Sequence, residues 1–207
     1  MHRKARAVVI ASCALMVGAG LVRAEQPKMA VPAMDPAKQA AMEAMQRLGS
    51  PSEAHAVLKP LAGTWTYTGE FQMSPEEAPE VMTGTTTNTL IFGGRFLRQE
   101  TAGQMKDMPP FEGVGILGYD NVRKEYQSVW YDNMNTALMT GAGQYDPAAK
   151  ALTLQGEFSC PMTGEAHRAF RDVWTIVDQD HTTYQSYMRT PEGREFKAME
   201  IRYTRAQ

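Results

Sequence analysis

The feature that most constrains this fold is a regular series of short strand-like segments from Leu61 to the C-terminus. Runs of β-branched and aromatic residues recur about every 8 to 14 residues, separated by clusters of Gly, Pro, Asn and Asp. Such spacing is typical of an all-β meander.

Ten antiparallel strands are difficult to leave as one open sheet, because both edges would invite pairing with other chains. Closure into a barrel removes the edges. The predicted fold class is therefore all-β, an antiparallel meander barrel of about ten strands preceded by one or two short helices. The predicted strands are Thr64–Phe71, Thr85–Phe92, Arg95–Ala102, Gly113–Tyr119, Glu125–Tyr131, Thr136–Gln144, Ala151–Phe158, His167–Val177, Thr182–Arg189 and Glu195–Arg205.

Two helices are predicted before the barrel. Asp35-Pro36 provides an N-cap and a proline at the first helical position, and good helix formers continue from Ala37 to Leu48 until Gly49. Ser50-Pro51-Ser52-Glu53 fits a capping box that starts a second short helix ending near Lys59.

The N-terminus has the pattern of a secretory signal. A basic segment, His2 to Arg6, precedes an apolar run from Ala7 to Val22, and cleavage is expected after Ala24. The alternatives are an uncleaved anchor or a lipoprotein modified at Cys13. We expect a signal peptide at 1–24, a tether and helix at 25–50 and the barrel domain at 51–207, in a periplasmic or secreted protein with no membrane span after cleavage.

Charge and cysteine content narrow the function classes. Removing residues 1–24 leaves 17 Lys and Arg against 23 Asp and Glu, a net charge of −6. A nucleic-acid-binding protein normally has the opposite balance, so no nucleic acid partner is expected. Cys160 is then the one remaining cysteine, which excludes an internal disulfide.

The loops offer two further expectations. Gly93-Gly94 supplies positive φ for a tight hairpin between two strands. The acidic, proline-rich segment from Met73 to Thr83 is predicted to be a long loop, either a lid or a solvated insertion.

Gly63-Thr64-Trp65, which opens the first strand after a short helix, resembles the Gly-x-Trp start of lipocalin and fatty-acid-binding (calycin) barrels. In those families the tryptophan closes the barrel base and packs against a basic residue of the last strand. The resemblance implies a structural closure formed by Gly63, Trp65 and Arg205, with Arg202 as the other candidate partner.

More specifically, the chain resembles the bacterial domain-of-unknown-function family 1579 from about residue 58 to 205. The resemblance implies an exported, calycin-like barrel without a known activity. Cys160 departs from the pattern, where an acidic residue is expected before Pro-Met-Thr-Gly. The matching segments are Leu61-Ala62-Gly63-Thr64-Trp65, Gly118-Tyr119-Asp120-Asn121, Trp130-Tyr131-Asp132-Asn133-Met134, Pro161-Met162-Thr163-Gly164 and Met199-Glu200-Ile201-Arg202-Tyr203-Thr204-Arg205.

Trp130 and Asp132 lie two residues apart on one predicted strand, so they share a face. They form either an aromatic wall with a polar group at a ligand pocket, or a core tryptophan beside a turn-organising carboxylate.

Charged residues inside strands are the other indication of a site. A charge that points into a small barrel is costly unless it is paired or bound to a ligand, and an arginine there suits a carboxylate ligand. The alternative is that these charges face water or pair with each other. The candidate ligand-binding residues are Arg98, Trp130, Asp132, Arg171, Tyr187 and Met199.

The sequence gives little support for metal binding, haem binding or hydrolysis. Cys160, Met162 and His167 are soft ligands that suit copper, but their spacing lacks a second nearby histidine. The last strand has no histidine that could bind haem. The sequence also lacks a hydrolase motif or a nucleotide-binding motif in the structural context that such a motif requires. We therefore expect no metal, no cofactor and no catalytic residue.

The sequence thus favours non-catalytic binding of a small, partly apolar ligand inside the barrel. The alternatives are a structural or interaction module with a side-chain-filled barrel, and an uncharacterised enzyme. Small residues at Gly113, Gly115, Gly141, Ala142 and Gly143 favour some internal space. The ligand and the oligomeric state are not encoded in any recognisable pattern.

Overall fold

A computed structural model describes residues 34–207, so the predicted signal peptide lies outside the described residues. Helix α1 spans Pro36–Leu48. Asp35 caps it, since its side chain accepts a hydrogen bond from the backbone N–H of Ala37 at 2.8 Å. Within residues 34–207, neither helical segment has the length and apolar character needed to cross a bilayer.

A 3₁₀ helix, Glu53–Leu61, follows α1. Its N-cap is Ser52 rather than the expected Ser50, and His55 closes the box by accepting a hydrogen bond from the Ser52 backbone N–H at 2.9 Å. Ser50 instead donates its hydroxyl to the Gln46 carbonyl, which extends the end of α1.

The predicted fold class is confirmed: all ten strands form and close into one antiparallel barrel. Each strand pairs with its neighbours in sequence, and β1 pairs with β10 to complete the ring. The strands are β1 Gly63–Phe71, β2 Glu80–Ile91, β3 Phe96–Met105, β4 Phe111–Asp120, β5 Glu125–Asp132, β6 Met139–Asp146, β7 Ala151–Phe158, β8 Arg168–Ile176, β9 His181–Arg189 and β10 Glu195–Arg205.

The predicted loop from Met73 to Thr83 is shorter than expected, because β2 already begins at Glu80. Val81, Met82 and Thr83 are good strand formers, and they pair with β1 on one side and β3 on the other. Two-sided pairing thus extends the strand into a segment whose acidic and proline content indicated a loop.

The two ends of the barrel differ. The 3₁₀ helix covers one end, where Leu58 and Leu61 pack with Leu97 and Leu117 in a cluster of buried residues. We call this the closed end. The opposite, open end is bordered by the loops β1–β2, β3–β4, β5–β6, β7–β8 and β9–β10.

Arg205 stabilises the closed end through several contacts. Its guanidinium lies 4.1 Å from the ring centre of Trp65. The same group donates hydrogen bonds to the carbonyls of Ala62 and Pro60 at 2.8 and 2.9 Å. Gly63 has φ +127°, and a Cβ there would collide with the Arg205 guanidinium. One arginine therefore connects the first strand, the last strand and the 3₁₀ helix.

We predict that Arg205→Ala lowers the free energy of unfolding by about 2–4 kcal/mol, because it removes a cation–π contact and three charge-assisted hydrogen bonds, to the carbonyls of Pro60, Ala62 and Gln179. Urea denaturation followed by circular dichroism measures the change. The matched control is Arg202→Ala, since the Arg202 side chain is exposed on the outer face and its partner Glu200 keeps a second ion pair with Lys197. The control substitution should lower the free energy of unfolding by less than about 1 kcal/mol. Equal losses in the two variants would contradict this account of Arg205.

Candidate functional site

The barrel interior is packed in its closed half and less completely buried in its other half. At the closed end the inward side chains of Trp65, Leu97 and Leu152 are at most 2% exposed. Towards the open end, many inward side chains are only half-buried, although Arg168 and Phe170 are buried there. We call the interior of this half the lumen. Its half-buried lining includes Gln99, Thr101, Ser128, Trp130, Phe158, Tyr184, Met188 and Met199.

Trp130 and Asp132 both point inward, but the carboxylate is already occupied. Asp132 accepts a hydrogen bond from the Trp130 indole N–H at 2.8 Å through one oxygen. Its other oxygen accepts from the backbone N–H of Met134 at 2.9 Å. Asp132 therefore holds the indole and organises the turn after β5, while Trp130 lines the lumen.

Most of the glycines that suggested internal space are covered by aromatic rings of neighbouring strands. A Cβ at Gly113 would collide with the Trp130 ring, and one at Gly115 or Gly141 would meet a ring atom at 3.0 or 3.1 Å. At Gly143 the obstacle is instead the Thr153 backbone. Gly113, Gly115 and Gly141 therefore leave less room than their size indicated, and Ala142 faces outward. The contacts are Tyr67 over Gly84 and Gly103, Trp130 over Gly113 and Gly115, and Phe170 over Gly141 and Gly156.

Three predicted site residues lie on the outer surface, away from the lumen. Arg98 pairs with Glu100 at 2.5 Å, and both side chains are about half exposed. Arg171 and Tyr187 pair directly across β8 and β9 on the outer face. The structure therefore does not bring the six candidate ligand-binding residues together.

Arg171 and Tyr187 line an outer groove of about 140 Å³. The Arg171 guanidinium lies 4.0 Å from the Tyr187 ring centre and forms two hydrogen bonds with Glu195, at 2.7 and 3.1 Å. The Glu195 hydrogen bond raises the pKa of Arg171, while burial opposes this shift. The guanidinium is thus engaged within the protein and is poorly placed to hold a carboxylate ligand.

Met199 faces inward near the open end, where it also lines a small groove of about 60 Å³ between β1 and β10. It belongs to a larger pattern, because every methionine from residue 49 onward lies in the open half or its loops. Thioether side chains are flexible and polarisable, and they adapt to ligands of different shape. These methionines are Met73, Met82, Met105, Met108, Met134, Met139, Met162, Met188 and Met199.

The soft-ligand residues of the β7–β8 loop do not face one common point. Cys160 is buried, with its sulfur 3.5 Å from the Arg168 guanidinium. Burial raises the pKa of Cys160, but hydrogen bonds involving Thr163, Arg168 and Met162 outweigh burial and lower it overall. Met162 is 71% exposed, and His167 pairs with Glu157 at the surface. Within residues 34–207, no three His, Cys, Asp or Glu residues cluster closely enough to hold a metal ion.

The sequence reasoning missed the most unusual lumen residue, Asp172. Its side chain points inward from the middle of β8 and is 7% exposed. The hydroxyls of Ser186 and Tyr184 lie beside the carboxyl group, yet Oδ1 has no hydrogen-bond partner. The available signal was an acidic residue with aromatic residues two positions away on both sides, Phe170 and Trp174.

Burial controls the protonation of Asp172. Desolvation raises its pKa to about 6, while hydrogen bonds from Ser186 and Tyr184 and the charge of Arg171 oppose that shift. The carboxyl group is therefore mostly ionised at pH 7.5 and mostly protonated at pH 5. The same contact, together with burial, raises the pKa of Tyr184.

Fold and site together define a small closed barrel whose inward side chains are buried under the 3₁₀ helix and, in many cases, half-buried towards the other end. The chain belongs to the family described as protein of unknown function DUF1579, whose model matches residues 50–205. This match confirms the resemblance noted in the sequence. A search of curated proteins finds no match.

Two solved structures share the fold. Rv2717c from M. tuberculosis is 18% identical with a TM-score of 0.57, over 76% of this chain and 100% of that chain. The S-type phycobiliprotein lyase CPES from Guillardia theta is 11% identical with a TM-score of 0.53, over 78% and 97% of the two chains. At these identities the likeness establishes the fold alone.

We predict that Asp172→Asn stabilises the protein more at pH 7.5 than at pH 4. A folded-state pKa of about 6, above the ordinary 3.8, means that wild-type stability falls as pH rises from about 4 to above 6. One pKa unit corresponds to about 1.4 kcal/mol, so the stabilising effect of Asp172→Asn should differ between the two pH values by at most roughly 3 kcal/mol. Urea denaturation of both proteins at the two pH values measures it. If the free energies of unfolding of variant and wild type differed by the same amount at both pH values, the raised pKa assigned to Asp172 would be contradicted.

Proposed function

We propose that this protein binds a small, partly apolar ligand in the lumen and performs no catalysis on it. The observation that carries the proposal is the contrast between the two barrel halves. A barrel built only as a scaffold would bury its inward side chains throughout, because close packing stabilises the fold. Here the closed half supplies that core, and the open half keeps partly exposed inward residues beneath a mouth.

The lining favours a ligand with an apolar body. Trp130, Phe158, Met188 and Met199 present aromatic and thioether surface to the lumen. Ser128, Gln99 and Asp172 add a few polar groups. A mostly apolar cavity with a small number of polar groups is the usual composition of a small-molecule site.

The positions of the histidines support a binding role over a catalytic one. His55 lies in the 3₁₀ helix at the closed end, while His167 and His181 lie at the surface beside the carboxylates of Glu157 and Asp178. The described part of the chain therefore brings no imidazole to the lumen as a general base. The carboxylate of Asp132 is engaged by Trp130 and Met134, which leaves Asp172 as the lumen carboxyl group with a free oxygen.

A structural or interaction module is the second candidate, and helix α1 favours it. None of its residues is buried, and Met42, Met45 and Leu48 are 52%, 77% and 39% exposed. An isolated helix of this length is marginal in water, so contact with a partner would stabilise it. Under this alternative the lumen would take up no ligand.

Binding is further proposed to occur outside the cytoplasm, on the basis of the N-terminal sequence alone. The basic segment and apolar run before Ala24 support this. Intact-mass spectrometry of the protein recovered from its native compartment should give a chain that starts at Glu25. A mass that includes residues 1–24 would contradict cleavage at this position.

We predict that the wild-type protein binds the neutral apolar dye Nile red and that Ser128→Phe weakens this binding at least tenfold. Ser128 points into the lumen, so an added ring occupies the proposed site. The blue shift and increase of dye emission measure the affinity. Thr140→Phe is the matched control, because it adds the same ring to the exposed outer face of the adjacent strand.

The control variant should bind the dye as the wild type does. Circular dichroism and urea denaturation establish that both variants are folded. Absence of dye binding by the wild type, or equal binding by Ser128→Phe and Thr140→Phe, would contradict a ligand site in the lumen and favour the interaction module.

A further inference from the structure

Asp172 is a buried carboxyl group without a cationic partner inside the lumen. Arg171 is its neighbour in sequence, but it points to the outer face and binds Glu195. Arg168 points inward four residues away, which is about 13 Å along a strand. Its guanidinium contacts Cys160 and lies 3.6 Å from Glu165.

An ionised carboxylate in such a position is costly, because it has lost water without gaining an opposite charge. The two hydroxyls beside Asp172 offset only part of that cost, and Oδ1 remains free. A cationic group entering the lumen would supply the missing partner. An anionic group would meet a like charge there.

Aromatic rings next to Asp172 provide the second half of a cation site. Trp174 lies two residues further along β8 on the same inward face, with its ring centre 4.8 Å from that of Tyr184 and 5.5 Å from that of Tyr203. The ring centres of Tyr203 and Tyr67 are 5.6 Å apart. We call Tyr67, Trp174, Tyr184 and Tyr203 the aromatic wall.

Aromatic faces attract cations through the ring quadrupole, and this attraction is the basis of quaternary-ammonium recognition in proteins. Trp174 and Tyr184 point inward and are half-buried, whereas Tyr67 and Tyr203 are buried beside them. An inorganic divalent cation fits less well, because it needs six or more oxygen ligands and Asp172 supplies a single carboxylate.

We infer that the ligand is an amphipathic organic cation whose ammonium group binds Asp172 and the aromatic wall, while its apolar body extends along the methionine-lined lumen towards the open end. This inference rests on the proposed function and specifies the charge and orientation of the ligand. It also gives a role to a buried charge that the fold itself does not require.

Three probes with the same eight-carbon chain test the inference by calorimetric titration at pH 7.5: octyltrimethylammonium, octanoate and 1-octanol. We expect the cation to bind at least tenfold more tightly than the neutral alcohol, and octanoate to bind least. A cation that binds no more tightly than octanol would overturn the inference. Nile red binding is measured in parallel. Failure of the dye to bind would contradict the lumen site itself, whereas dye binding without a preference for the cation would contradict only the present inference.

Asp172→Asn should abolish the preference for the cation while Nile red still binds. The matched control is Asp132→Asn, which removes the charge of the other lumen aspartate, whose two oxygens are engaged within the protein. It should retain the preference. Persistence of the preference in Asp172→Asn, or its loss in both variants, would overturn the assignment to Asp172.

The pH dependence gives an independent readout, because a quaternary ammonium group does not titrate. In wild type its affinity should fall roughly tenfold from pH 7.5 to pH 5, as Asp172 becomes protonated. The paired residues facing Asp172 are Leu154 on β7 and Ser186 on β9, and Tyr184 adjoins it. The charged groups nearest along β8 are Arg168 and Arg171. An unchanged affinity in wild type would contradict the inference.

Discussion

The pairing of the first strand with the last is the constraint on which the rest of the structure depends. β1 and β10 are joined by backbone hydrogen bonds along their length, and Arg205 links both to the helix that covers the closed end. Without this closure the sheet would have two exposed edges and no enclosed interior. The lumen, its polar groups and its mouth all exist because the ring is complete.

The packing of the interior changes along the barrel axis. The closed half contains the large buried aliphatic side chains under the 3₁₀ helix, whereas the open half contains the methionines, the half-buried aromatic residues and Asp172. A carboxyl group without a cationic partner would be poorly tolerated in a packed core. Asp172 nevertheless adjoins the closed-end core, since its partner across β7 and β8 is Leu154, a member of that buried cluster.

The fold was predictable from the sequence, but much of the site was not. Turn residues and β-branched runs located all ten strands, because both signals are local. Which face of a strand points inward is less evident here, since Arg171 alternates with Asp172 and both faces of β8 carry apolar residues. The structure places Asp172 inside and Arg171 outside. The space beside Gly113 and Gly115 is likewise occupied by Trp130, which belongs to the next strand. The positions of the glycines in the sequence do not show that this ring covers them.

The aromatic rings that lie on glycines link positions that are distant in sequence. Tyr67 occupies the room that side chains at Gly84 and Gly103 would need, so three strands share one volume. A substitution at any of these positions changes what the other two can accommodate, and its effect on stability should not add to theirs. A larger residue at Gly103 therefore becomes acceptable only in a chain whose Tyr67 ring has already become smaller, whereas Gly84 is also confined by the Ala102 backbone carbonyl.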